Sequence, residues 1–129
     1  MTESERLIRL GYDAWNRGDW AAMQDMVTPD FEVDATDRVL NPETYSGIDG
    51  VRRLADEMFE IWDAWLIEPG EFVERGDEVF VEHRIHARGK GSGVRLEQTY
   101  WSVWTIRDGK ASKLALYVDR DRALAAIGP

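Results

Sequence analysis

The sequence predicts an α+β domain in which helices gather on one face of an antiparallel sheet. Three observations carry that expectation. The N-terminal half places apolar residues at helical spacing, and the C-terminal half holds long runs that alternate apolar with polar residues. Those runs meet at short turns containing Asp and Gly. The implied order is helix, helix, strand, helix, four long strands and a short C-terminal helix, in one domain spanning residues 1–129. A chain of 129 residues buries about two-thirds of its surface on folding, enough for both a core and a cavity.

Taken in order, Thr2-Glu3-Ser4-Glu5 has capping-box spacing, and Leu7, Ile8, Gly11, Tyr12, Ala14 and Trp15 follow on one stripe. A first helix is expected to about Asn16. Arg17-Gly18-Asp19 breaks it, and Asp19 can cap a second helix, Trp20 to Val27, ended by Thr28-Pro29. Phe31, Val33 and Ala35 alternate with Glu32 and Asp34 as a short strand with one wet face. From Thr36 to Ser46 turn formers dominate, with Val39 and Leu40 as apolar exceptions; long loops of this kind serve as lids or contact arms.

A third helix begins near Gly47, with Val51, Leu54, Ala55, Met58, Ile61, Trp62 and Trp65 on its apolar face. Leu66 to Arg75 and Asp77 to Arg88 then read as a hairpin turning at Gly76. Gly89 to Gly93 is a flexible turn into a second hairpin, Val94 to Ile106 and Ala111 to Asp119, around Asp108-Gly109. Asp119 can cap the last helix, Arg120 to Ile127, which Gly128-Pro129 stops.

Composition narrows the function classes. A net charge of -9 disfavours nucleic acid and anionic membrane, since phosphate binding needs a basic surface. The absence of Cys removes disulfide and thiolate chemistry, and the start Met-Thr-Glu-Ser-Glu lacks the basic end and apolar run of a signal peptide. A cytoplasmic protein with no membrane span is expected. His83 and His86 have opposite strand parity and cannot hold one metal together; no metal or cofactor is expected. Six Trp, four Tyr and four Phe either fill a core or line a pocket for a flat apolar ligand.

Parity locates the polar groups. On the strand after Val94, one face carries Leu96, Gln98, Tyr100, Ser102, Trp104 and Ile106, a mostly apolar row interrupted by a polar window at Gln98 and Ser102. Such a window flanked by Tyr100 and Trp104 suggests a wet or ligand-filled space. On the preceding strand His83 sits in a row with Val79, Val81 and Ile85, which makes it the best candidate for a general base near neutral pH.

Four motifs occur in one order: Tyr12-Asp13-Ala14-Trp15-Asn16-Arg17-Gly18-Asp19, Pro29-Asp30-Phe31, Tyr45-Ser46-Gly47-Ile48-Asp49-Gly50-Val51, and Trp104-Thr105-Ile106-Arg107-Asp108-Gly109-Lys110. Together they resemble the SnoaL-like branch of the nuclear transport factor 2-like superfamily, over nearly the whole chain. The resemblance implies a cone, or cystatin-like roll: a curved antiparallel sheet wrapped around three helices, with a pocket opening near the first helix. It hosts isomerases, dehydratases, cyclases, epoxide hydrolases and plain binding modules. Carried over residue by residue, the ketosteroid isomerase tyrosine falls on Tyr12, whereas its two acids fall on Ala35 and near Ser102. The polyketide cyclase acid falls on Leu116 and its pocket histidine on Ser102. Epoxide hydrolases need acids and an arginine inside the cone, yet Glu82, Arg84 and Glu97 have outward parity.

The expected pocket therefore holds Tyr12, His83, Gln98, Tyr100 and Ser102 among Trp15, Phe31, Val33, Met58, Trp62, Trp104, Leu114, Leu116 and Val118. One reading is a binding protein for a flat apolar small molecule. A second is an isomerase, cyclase or dehydratase acting on a carbonyl or enol compound, with His83 as base and Tyr12 or Tyr100 stabilising the oxyanion. A third is a dimerisation or interaction module whose cone is filled by its own side chains. Phe80, Thr99, Trp101 and Val103 have outward parity, and a water-facing row of this kind implies a homodimer through the convex sheet face.

Overall fold

The computed structural model of the chain describes residues 1–38 and 42–128. Val39 and Leu40, the apolar exceptions of the central loop, lie outside the described residues.

Two N-terminal helices come first, Glu3–Arg17 (α1) and Trp20–Met26 (α2). Each is capped as its sequence demands: Thr2 accepts from the Glu5 amide at 3.1 Å, and Asp19 accepts from the Ala22 amide at 3.1 Å. Val27–Asp34 (β1) and Thr44–Ser46 (β2) pair antiparallel, and Gly47–Ile61 forms α3. Gly50 is needed where α3 leaves β2, because a Cβ there would lie 2.9 Å from the Tyr45 carbonyl carbon. Four strands linked in series by hairpins follow as Trp62–Arg75 (β3), Glu78–Gly89 (β4), Arg95–Arg107 (β5) and Lys110–Tyr117 (β6), and Arg120–Ala126 is α4. The β5–β6 turn holds Asp108 at φ 53° and Gly109 at φ 77°, the twist that a two-residue hairpin loop requires.

The six strands lie in the order β2-β1-β6-β5-β4-β3. Here the expectation of an antiparallel sheet needs correction, because β1 runs parallel to β6. No hairpin links these two strands, so α3 and the strands that follow set their relative direction. The sheet is mixed. Strand β1 also begins earlier than alternation predicts and takes Pro29 into it, at an irregularity between Val27 and Glu32 where no ladder bond is required of the proline.

A second correction concerns Trp62 and Trp65. The helix stops at Ile61, and Trp62 is already extended at φ -116° and ψ 133°. Both tryptophans belong to β3, whose register slips between Trp62 and Ala64 so that residues three apart can share a face. Their rings lie 5.6 Å apart. Asn16 fastens α1 to this strand: its amide donates to the Ile67 carbonyl at 2.8 Å and its oxygen accepts from the Ile67 amide at 2.9 Å.

The core is divided by the sheet. Inside the cone, Ile8, Tyr12, Ala14, Phe31, Val33, Val79, Val81 and Ile85 pack together. Outside it, α4 lies on the opposite face and buries Phe80 and Val103 under Ala123 and Ile127. This corrects the expectation of a water-facing row. Phe80 is 0% exposed and Val103 3%, while Thr99 and Trp101 are half-buried. Helix α4 therefore closes Phe80 and Val103 to any second chain, while Thr99 and Trp101 stay partly accessible. The helix is held by Arg122, which reaches both oxygens of Asp37 at 2.6 and 2.9 Å, and by Arg120 on Glu71 at 2.9 Å. No helix among the described residues is long and apolar enough to cross a membrane.

Candidate functional site

The inner face of the sheet and the three helices α1 to α3 enclose a cavity of about 620 Å³, within the range of small-molecule sites. Strand geometry places its polar groups. On β4 the inward row is Val81, His83 and Ile85, and the antiparallel register sets these opposite Ser102, Tyr100 and Gln98 of β5. Helix α1 brings Tyr12 and Trp15 against them. Apart from Arg38 the remaining wall is apolar, and the exposed lining residues Ile61, Gln98 and Val118 mark the mouth.

At one end of the cavity, Tyr12 is the centre of a buried polar cluster. Its hydroxyl lies 3.1 Å from His83 Nδ1 and 3.1 Å from Ser102 Oγ, and it accepts from Trp104 Nε1 at 3.2 Å. Ser102 Oγ donates in turn to the Val81 carbonyl at 3.1 Å. Every member of this cluster is uncharged at neutral pH. Burial alone pushes the His83 pKa down to about 3, since the cavity wall cannot solvate an imidazolium. Burial also pushes the Tyr12 pKa up to about 12, against the smaller opposing effect of its hydrogen bonds with Ser102 and Trp104.

One formal charge lines the cavity among the described residues. Arg38 stands at the wall with its Nη2 donating to the Tyr45 hydroxyl at 3.0 Å, and that hydroxyl donates to the Glu57 carboxylate at 3.1 Å. Sequence reasoning missed Arg38 because it falls in a polar loop with no periodicity. Its neighbour Asp37, by contrast, is turned outward to hold α4. No group of acidic, His or Cys side chains among the described residues could hold a metal.

Of the residues that parity and resemblance place in the pocket, Tyr12, His83 and Tyr100 line the cavity. So do Trp15, Phe31, Val33, Met58, Trp62, Gln98, Trp104, Leu114, Leu116 and Val118. Ser102 does not. It is 0% exposed, sealed behind Tyr12 because its hydroxyl is drawn into the contacts with Tyr12 and Val81, so it cannot touch a ligand. Tyr12 is itself only 3% exposed, and its hydroxyl is engaged in the cluster. Trp65 also lines the wall, because β3 begins earlier than the helical pattern suggested, and Ile67 joins it further along the same strand.

The fold has known counterparts. Residues 8–114 match the model of the SnoaL-like domain, and the chain belongs to that family. Among solved structures it is similar to TerC co-crystallised with polyporic acid, at TM-score 0.79 and 21% identity over 99% of this chain and 100% of that one. An NTF2-like protein of unknown function from Burkholderia pseudomallei gives TM-score 0.77 and 20% identity over the full length of both chains. A Catenulispora acidiphila protein with a ketosteroid isomerase-like fold, in complex with trimethylamine, gives TM-score 0.75 and 14% identity over 95% of this chain and 92% of that one. No curated protein matches significantly.

Proposed function

We propose that this chain is a small-molecule binding protein that takes a flat, apolar ligand into its cone. The observation that carries this reading is the cavity of about 620 Å³ whose wall is aromatic and aliphatic and whose buried polar cluster bears no charge. Such a wall favours fused rings by apolar burial, and the few polar groups orient them. Structural relatives crystallised with polyporic acid and with trimethylamine lend support, since cones of this shape accept small molecules in those proteins.

The acid–base alternative rests on His83 beside Tyr100, across one strand pair. It is the weaker reading, because a base whose pKa lies near 3 holds little driving force for proton abstraction at neutral pH. A thermal-shift experiment with pyrene tests the binding reading directly. At 100 times its dissociation constant a guest stabilises the fold by about 2.7 kcal/mol, several degrees for a domain of this size. An unmoved midpoint with pyrene and with its oxygenated derivatives sinks the reading.

A further inference from the structure

The cluster around Tyr12 makes four contacts that must share hydrogens: Trp104 to Tyr12, Tyr12 to His83, Tyr12 to Ser102, and Ser102 to the Val81 carbonyl. An indole nitrogen only donates and a carbonyl only accepts, so the two ends of the chain are settled. Ser102 spends its single hydrogen on Val81. The contact between Tyr12 and Ser102 then takes the hydrogen of Tyr12, which leaves none for His83. That last contact is filled only if His83 Nδ1 carries the ring hydrogen. Four contacts then hold four hydrogens. With the hydrogen on Nε2 instead, three hydrogens serve four contacts, and one buried polar pair is left without a proton between its atoms.

A hydrogen on Nδ1 leaves Nε2 as a bare lone pair. His83 makes its hydrogen bond through Nδ1, so this nitrogen has no hydrogen-bond partner among the described residues, and its ring lines the cavity. We infer that Ser102, which no ligand reaches, fixes the His83 tautomer through Tyr12 and thereby makes the cone prefer ligands bearing a hydroxyl over ligands offering only acceptors. The ligand class is thus a fused-ring phenol or enol whose O–H meets His83 Nε2. Burial supports the inference, because it keeps the imidazole neutral and the lone pair present at pH 7. Ser102 is a positioning residue in this scheme, acting two hydrogen bonds away from the guest.

The inference rests on the ligand-binding reading above, and the experiment separates the two. The probes are 1-hydroxypyrene and 1-methoxypyrene, titrated at pH 7, with long-range proton–nitrogen spectra of the protein recorded alongside. Only two histidines need distinguishing. The expected results are a protonated Nδ1 and bare Nε2 on His83, and about tenfold tighter binding of the hydroxyl compound, the worth of one net hydrogen bond. Ser102→Ala removes the acceptor for Tyr12. The Tyr12 hydrogen then turns to His83 Nδ1, the ring hydrogen moves to Nε2, and the methoxy compound becomes as good a guest or better. Ser102→Thr, which retains the hydroxyl, keeps the wild-type tautomer. A wild-type spectrum with Nε2 protonated overturns the inference without any variant having to fold, and equal affinity for both probes overturns it while sparing the binding reading. Binding of neither probe overturns both.

Discussion

Three residues apart on β4, His83 and His86 face opposite sides of one sheet and respond to opposite forces. His83 is 4% exposed, and burial drives its pKa down to about 3. His86 stands outside between Glu97 at 3.2 Å and Glu68 at 3.3 Å; first Glu97 and then Glu68 raise its pKa. The strand, the residue type and the neighbourhood in sequence are shared, so strand parity alone separates a dry hydrogen-bonding group from a titrating surface cation. The same division runs along the whole sheet. Uncharged hydroxyl, imidazole and indole groups occupy the inner face, while Glu82 and Arg84 pair on the outer one at 2.7 Å.

The outer face is nevertheless not all surface, and the largest expected effect tests this. Phe80→Ala opens a void beneath α4 and costs about 3–4 kcal/mol, read as a lowered urea midpoint with an unchanged slope. A loss below 1 kcal/mol would make the contrast between faces complete and the second core illusory. Next in size is Tyr12→Phe, which strips the common partner from His83, Ser102 and Trp104. Buried polar groups left without partners cost about 1–3 kcal/mol, so about 2 kcal/mol is expected in the same assay.

Acid sharpens the comparison further. Unfolded histidine binds a proton near pH 6.5, whereas folded His83 resists until about pH 3, so the unfolded state takes up the proton first and acid favours it. Stability therefore falls as pH drops through this window, by about 2 kcal/mol between pH 7 and 5 from His83 alone. Chemical denaturation of His83→Asn at the two pH values should show that slope flattened. The smallest effect belongs to His86, and its sign is reversed. Its raised pKa gives stability that is present below pH 6.5 and lost as pH rises through the folded value. For so exposed a pair the loss in His86→Gln is about 0.5 kcal/mol at most at pH 5.5 and vanishes at pH 8.5. If His86→Gln instead matters more at pH 8.5, the assignment of the two faces is wrong.

Alternation made both sides of β4 and β5 readable from the chain, because a period of two is set by the backbone and survives any change of register by two. Features without a period were not readable. Met58, Trp62 and Trp65 lie at helical spacing, but a bulge lets a strand place Trp62 and Trp65 on one face, so the pattern could not mark where α3 ends. Arg38 is a single cation in an irregular loop, and nothing nearby in sequence announces that it reaches the cavity wall. The seat of α4 was hidden for another reason. A helix of 7 residues shows too short an apolar stripe to reveal which face of the sheet it will cover. Parity puts Ser102 on the inner side of the sheet, but side alone does not tell a hydroxyl that meets a ligand from one that meets only Tyr12 and the Val81 carbonyl.

The tryptophans have a consequence of an optical kind. Of the six, Trp15, Trp62, Trp65 and Trp104 line the cavity, Trp20 packs edge-on against Trp15 at 5.9 Å, and only Trp101 belongs to the outer face. The near-ultraviolet emission of this protein is therefore in large part the emission of the cavity wall. Its colour reports how wet that wall is, and a guest entering the cone changes the light without any label being attached.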